Sequence, residues 1–386
     1  MQKPQNKILF ISQYAGFIGG LEKYMHSLSL LLRENGFNTC ALYVEKTNRA
    51  EEFLSGFDGH KNFSEMSDMS ADDYGLVTMH KISRPDVLEK ILAKFSPTTF
   101  VHDHDYFCPK GYKYYPYKRI NCARAHNALV CGICSSIVPP RHITNGIWAM
   151  LKKNFVESTR LCGLVKICPQ FVVLSDFMKR ELIANGIAEE KIKILHPWIK
   201  AAANPVQKSE GGKIKLVFAG QQVMSKGIPL LLEAAKLFKC DYSLDILGAG
   251  GRLEDFRKIS ENMGLKDRVF FRGWVSDTAQ YFEKAHIALF PSMWQEPFGL
   301  TGIEAMNAHT PVVGFDVGGV GEWLKDGFNG ILVKERDTTA MAAAVDKLAA
   351  DRPLRLKLGE NAAKYVAETY VPETFMKNFR TQLLRE

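Results

Sequence analysis

Two carboxylates eight residues apart, Glu296 and Glu304, bracket the run QEPFGLTGIEA, in which Gly299 marks a strand-to-helix turn. A helix starting near Leu300 turns free N–H groups and the positive end of its dipole toward the preceding loop. That arrangement favours an anion such as a phosphate. Glu296, ahead of the helix, can accept hydrogen bonds from sugar hydroxyls. Glu304, about one turn in, can take both hydroxyls of a ribose. Two acids alone are a weak marker, because solvent-facing glutamates around a turn have the same spacing.

Three other patterns invite chemistry. Asp103-x-Asp105 has the spacing of a cation-binding acidic pair, yet hard cations need several oxygen ligands and no others are identifiable in the sequence. SLDILGAGGRL opens like a dinucleotide loop, with Gly248, Gly250 and Gly251 after a strand. The third glycine of G-x-G-x-x-G falls on Leu253, so that fingerprint fails and a nicotinamide enzyme is not expected. Cys108, Cys122, Cys131 and Cys134 run C-x13-C-x8-C-x2-C, and the last pair has zinc-knuckle spacing in a loop-rich region.

Charge is unevenly spread. The 386 residues carry a formal net charge of +8. Residues 106–166 alone hold ten basic side chains against the single acid Glu157. Such a patch suits a phosphorylated or anionic partner, or an anionic membrane face. Within it Ile143, Ile147, Leu151 and Phe155 recur every four positions among Lys152, Lys153 and Arg160, the pattern of an amphipathic helix. The competing reading is a helix packed on its own domain.

The elements that must position these residues follow one grammar. Short β-branched or aromatic runs alternate with helical patterns of 10 to 15 residues, which implies parallel sheets covered by helices on both faces. Strands are expected at 8–11, 39–44, 75–79, 98–102, 171–175 and 192–195. A second set is expected at 214–220, 243–248, 268–273, 287–292, 311–316 and 330–333. Twelve strands suit two sheets better than one. The expected domains are residues 1–198 and 213–370. A Pro/Gly-containing hinge at 199–212 joins them, and a C-terminal helix at 371–386 can return to the first. In open parallel sheets ligands sit beyond the carboxyl ends of the strands, so a cleft between two facing sheets is the expected site. No apolar run approaches the roughly 18 residues of a membrane span, and the N-terminus enters a strand without a signal-peptide block. A cytoplasmic protein is expected.

EPFGLTGIEA, TPVVGFDVGGVGEW, DGFNGILV, FAGQQVMSKG, GGLEKYMHSLSLLLRENG and VLSDFMKREL occur at intervals along nearly the whole chain. Together they closely resemble the retaining glycosyltransferases of the GT-B fold, family 4, whose E-x7-E element matches Glu296 and Glu304. The resemblance implies two Rossmann-like doubly wound α/β domains facing a central cleft. It further implies that Glu296 contacts the transferred sugar, that Glu304 holds the nucleotide ribose, and that the amides of Phe298, Gly299 and Leu300 meet the donor diphosphate and sugar. Lys226 matches the lysine that neutralises the leaving diphosphate. Five residues earlier the family usually has arginine; here Gln221 stands, a hydrogen-bonding amide without charge. Gly19 and Gly20 match the glycine loop that approaches the donor phosphate, and Gly273-Trp274 lie near the base. By its spacing to Cys108-Pro109, His102 is similar to the histidine facing the reacting sugar; His104 and His80 match less well. Asp103-x-Asp105 also resembles the metal-binding D-x-D of the other glycosyltransferase fold, which the two-domain grammar disfavours. His309 replaces the family's helix-ending glycine, tolerable at positive φ with some strain.

The expected activity is therefore metal-independent, retaining transfer of a hexosyl group from a nucleotide-sugar donor. The acceptor would be a glycan or lipid-linked molecule, in bacterial surface polysaccharide or lipopolysaccharide synthesis. No cofactor and no nucleic acid partner are expected, and an anionic membrane surface is a candidate partner. The alternatives are a GT-B sugar-nucleotide epimerase, or a non-catalytic module binding a sugar nucleotide or anionic glycan, the latter favoured only by Gln221.

Overall fold

The computed structural model describes residues 6–115, 120–137, 151–201, 208 and 211–384. The chain divides into two compact units. One comprises Met1–Lys118, Cys122–Leu195 and Met376–Glu386; the other comprises Arg119–Asn121 and His196–Phe375.

The first unit is built on a seven-stranded sheet: β1 (Lys7–Ala15), β2 (Asn38–Lys46), β3 (Gly59–Asn62), β4 (Leu76–Met79), β5 (Thr98–Val101), β6 (Gln170–Val173) and β7 (Ile192–Ile194), in spatial order 3-2-1-4-5-6-7. The second holds six strands: β8 (Ile214–Ala219), β9 (Tyr242–Leu247), β10 (Val269–Gly273), β11 (Ile287–Phe290), β12 (Val312–Phe315) and β13 (Gly330–Val333), in order 10-9-8-11-12-13. Every pairing in both sheets is parallel. Central strands such as ILFI (Ile8–Ile11) and IALF (Ile287–Phe290) are apolar throughout and buried on both faces, as helix-covered parallel sheets require.

In each unit the strand order reverses beside the first strand, between β1 and β4 and between β8 and β11. That is the topological switch point, where chain ends diverge and leave a crevice. Lys226 and Glu296 follow β8 and β11. Gly19, His80 and His102 follow β1, β4 and β5.

The expected hinge begins three residues later than the observed division. His196, Trp198 and Ile199 belong with the second unit: His196 packs on Phe298 and Tyr370, Trp198 on Phe375, and the Ile199 amide donates to the Tyr370 carbonyl (2.9 Å). Most of the remaining hinge lies outside the described residues. At the C-terminus the helix Pro372–Phe379 brings Phe379 edge-on to Phe37, with the Arg380 guanidinium over the same ring. His309 does adopt positive φ (56°), in the turn that ends the helix Leu300–Asn307.

Of the expected amphipathic helix, Ile143 and Ile147 lie outside the described residues. Phe155 is only partly exposed: its ring packs beside Gly132, where an added Cβ would lie 2.3 Å from Cδ1. Arg160 pairs with Glu89 of the same unit. No helix among the described residues is long and apolar enough to cross a membrane.

Candidate active site

At the switch point of the second sheet, two loops are locked together. The Met293 amide donates to the Ser225 carbonyl (2.9 Å), and Ser292 Oγ lies 3.4 Å from the same oxygen. Gly227 permits this approach. Its φ is +75°, and a Cβ there would stand 1.7 Å from the Pro291 carbonyl oxygen, so no other residue fits without moving the loops.

The contact brings Lys226 to Glu296. Lys226 Nζ lies 2.6 Å from Glu296 Oε1, and Ser292 Oγ donates to that same oxygen at 2.6 Å. Glu296 is only 3% exposed. The Lys226 ammonium keeps partial access to solvent and sits over the Trp294 ring, 5.1 Å from its centroid. Backbone bonds fix the carboxylate's own segment: the Gly319 amide donates to the Glu296 carbonyl (2.8 Å), and Gly318 (φ +59°) has no room for a Cβ against it. A desolvated carboxylate thus holds a cation beside the crevice, where each charge is worth more than in water.

Glu304 lies in the helix Leu300–Asn307, partly exposed, about one turn past Gly299. Gly299 is the N-cap at φ +104°, and no side chain caps the helix. Phe298 is buried, and its carbonyl accepts from Trp323 Nε1 at 2.6 Å. Gly302 is in turn required by Trp323, whose ring would stand 2.1 Å from an added Cβ. The helix start is therefore braced by an indole that the sequence does not flag.

Gln221 is exposed, whereas its neighbour Gln222 is fully buried and organises the next loop. Its amide donates to the Ala249 carbonyl (2.9 Å) and its carbonyl accepts from Arg252 (3.2 Å). Gly250 passes so close to that backbone that a Cβ would fall 2.6 Å from the Gln222 carbonyl oxygen. Gly248 and Gly250 thus serve close packing, Gly248 against the Gly220 carbonyl oxygen (2.0 Å from an added Cβ). Gly273 takes positive φ (71°) and accepts from the Gly248 amide at 2.7 Å; Trp274 beside it is 57% exposed.

In the first unit, His102 ends β5 and is partly exposed. Its Nε2 lies 3.0 Å from Nδ1 of the fully buried His80, which stacks between Phe10 and Phe100, and Tyr24 meets the His102 ring edge-on. Burial pushes the His80 imidazole well below its usual pKa, and burial with nearby Lys81 lowers His102 to about 4 against the opposing pull of Asp103. Both rings are neutral near pH 7. Gly19 is the N-cap of the helix Gly20–Glu34, but its amide already donates to Glu22 Oε2 (2.8 Å), a buried carboxylate of the same helix. Gly20 has open space where a side chain would stand.

Asp103 and Asp105 do not stand ready for a divalent cation. Both bind the Lys81 ammonium, Asp103 at 2.7 Å. Burial alone would raise the Asp103 carboxyl, but Lys81 holds it low; burial and the adjacent Asp103 push Asp105 up. The four cysteines fare similarly. Among the described residues no three His, Cys, Asp or Glu side chains are placed to hold a metal ion, and none of the eight cysteines is in a disulfide. Cys122 instead donates to Tyr115 Oη (3.3 Å), and burial raises the Cys108 and Cys131 thiols.

Residues 200–365, which contain the Lys226–Glu296 pair and Glu304, match the family described as glycosyl transferases group 1. The chain is 29% identical to an uncharacterized glycosyltransferase of Methanocaldococcus jannaschii, over 93% of each chain. It is 32% identical to the lipopolysaccharide core biosynthesis glycosyltransferase LpsE of Rhizobium meliloti, over 36% of this chain and 41% of that one. Over the first four curated relatives, the chain spans only 41% to 56% of their length. In structure it is similar to Anabaena HepE, solved in complex with UDP, at TM-score 0.73 and 16% identity, covering 98% of this chain and 100% of that one. The two parallel-sheet units thus have the architecture of GT-B glycosyltransferases.

Sequence reasoning found the two glutamates and the lysine through their motifs. It missed Ser292, Trp294 and Trp323, which hold those groups in place, and the Lys81 that occupies the acidic pair. Trp294, Trp323 and Lys81 carry no spacing signal because each acts on a residue distant in sequence, and Ser292, four residues before Glu296, belongs to no motif.

Proposed function

We propose that this protein is a retaining, family 4 glycosyltransferase that moves a hexosyl group from a nucleotide-sugar donor to a glycan or lipid-linked acceptor. The observation that carries the reading is the Lys226–Glu296–Ser292 cluster, set beside an uncapped helix start at the switch point of the group 1 domain. The donor diphosphate lies against the amides of Phe298, Gly299 and Leu300 and the Lys226 ammonium. Glu304 takes the ribose hydroxyls, Gly273-Trp274 lie by the base, and Glu296 contacts the sugar. The family resemblance assigns His102 the sugar-facing role and the Gly19-Gly20 loop the phosphate-facing one. The UDP seen with HepE and the lipopolysaccharide role of LpsE support a nucleotide-sugar donor and a bacterial surface glycan acceptor.

The bond between the anomeric carbon and the diphosphate breaks while the acceptor oxygen arrives on the same face. The acceptor's proton passes to the departing phosphate oxygen. Catalysis is then electrostatic: Lys226 and the helix N–H groups stand where negative charge grows. With Gln221 neutral and exposed, cationic compensation in this loop rests on Lys226. No divalent metal is required, so full activity in excess chelator is expected. Loss of transfer restored by manganese or magnesium would overturn that part.

A thermal-shift panel of UDP-, GDP- and ADP-sugars tests donor binding. At 100 times its dissociation constant the right donor stabilises by about 2.7 kcal/mol. Glu304→Ala is expected to lose about 1.5–3 kcal/mol of nucleotide affinity, the worth of a charged hydrogen bond. No shift with any nucleotide sugar refutes the reading; an undiminished shift in Glu304→Ala refutes the ribose assignment. The exposed apolar residues Leu129, Ile133 and Ile137, four apart on the helix Ala128–Ile137 within the basic stretch, support binding at an anionic inner membrane face.

A further inference from the structure

His80 has no place in the chemistry above, yet it is a fully enclosed polar side chain in contact with His102. It is fully buried, its ring is stacked between Phe10 and Phe100, and its Nε2 has no hydrogen-bond partner among the described residues. Its side chain makes one polar contact there, Nδ1 to His102 Nε2 at 3.0 Å.

Two neutral imidazoles in contact must share one hydrogen between the facing nitrogens, so the tautomer of one ring sets that of the other. If His102 were the donor, His80 would have to carry its hydrogen on Nε2, leaving a buried N–H without an acceptor. Buried unpaired N–H groups are the rarer of the two kinds of orphan. If His80 donates from Nδ1, its Nε2 is a bare lone pair, His102 Nε2 is the acceptor, and the hydrogen of His102 falls on Nδ1. The charged groups beside the pair, Lys81 held by Asp103 and Asp105, leave both rings neutral.

We propose that His80 is a positioning residue that fixes His102 as its Nδ1–H tautomer, so that His102 presents a hydrogen-bond donor to a hydroxyl or phosphate oxygen of the ligand. The consequence for the ligand rests on the reading of His102 as facing the sugar; the tautomer itself does not. Free imidazole favours the Nε2–H form, so both rings are held in the less common state.

Long-range proton–nitrogen correlation spectra of the full chain, labelled at histidine nitrogens, read tautomers directly. Nδ1–H on both His80 and His102 is the expected result. His80→Phe keeps the stacked ring but removes the donor, and it should convert His102 largely to Nε2–H. It should also lower kcat/KM about tenfold, the worth of one hydrogen bond. His80→Asn, whose amide lies near the original Nδ1, should restore most of that loss, which a purely structural role would not allow. Nε2–H on either ring of the unaltered protein overturns the proposal, as does Nδ1–H persisting on His102 in His80→Phe. If His102→Ala transfers at full rate, the sugar-facing role of His102 falls instead, while the spectra still decide what His80 does.

Discussion

Glu296→Gln should lower kcat about 10²–10³-fold while leaving nucleotide affinity within a few-fold. The amide has nearly the shape of the carboxylate and can still accept from Ser292. It cannot neutralise Lys226, which lies 2.6 Å from Oε1, in a pocket where Glu296 itself is 3% exposed. Removing one such oriented group from an electrostatic site typically costs about that factor. On the proposed reading the nucleotide is held instead through Glu304 and the helix start at Gly299. Steady-state kinetics with the preferred donor separate the two effects. A change of under threefold in kcat would mean that Glu296 only braces Lys226.

Gly227→Ala is the second large effect expected, and it acts through stability. The residue has φ +75°, where a side chain costs roughly 1–2 kcal/mol. The new Cβ would also stand 1.7 Å from the Pro291 carbonyl oxygen, an overlap only a loop shift relieves, at roughly 1–3 kcal/mol more. A loss of about 3 kcal/mol in the second unit follows, with weaker donor binding, because the same shift separates Lys226 from Glu296. Gly251→Ala is the control: nothing stands within 4 Å of where its Cβ would lie, and little change is expected. Denaturant unfolding of both variants checks the pair. Equal stabilities would show that the loops 220–227 and 291–296 are not locked as described.

How far the sequence foretold the molecule depended on local signals. Twelve of the thirteen strands in the two parallel sheets were legible because runs such as Ile8–Ile11 and Ile287–Phe290 are apolar enough for a doubly covered sheet. β3 was not: GHKN has no apolar residue, and it adds to the sheet only by parallel pairing with β2 at the edge. The division at Leu195/His196 was hidden because His196 and Trp198 owe their place to aromatic contacts with Phe298 and Phe375. In the candidate site the glycine turn and flanking acids were readable, since turn chemistry is local. The partner of Asp103-x-Asp105 was not legible because spacing cannot reveal a lysine 22 residues earlier that comes between the two carboxylates. The partnership of His80 with His102 is invisible for the same reason, each ending a different strand.

The central claim is transfer from a nucleotide sugar with retained configuration, and slow turnover in water tests it most directly. The preferred donor from the thermal panel, incubated without acceptor, would be followed by proton NMR at the anomeric position. Release of the nucleoside diphosphate together with free sugar first formed in the donor's own anomeric configuration, and absent with Glu296→Gln, is the predicted result. Inverted sugar, an epimerised product, or a donor bound yet unchanged even with candidate glycan acceptors would contradict it.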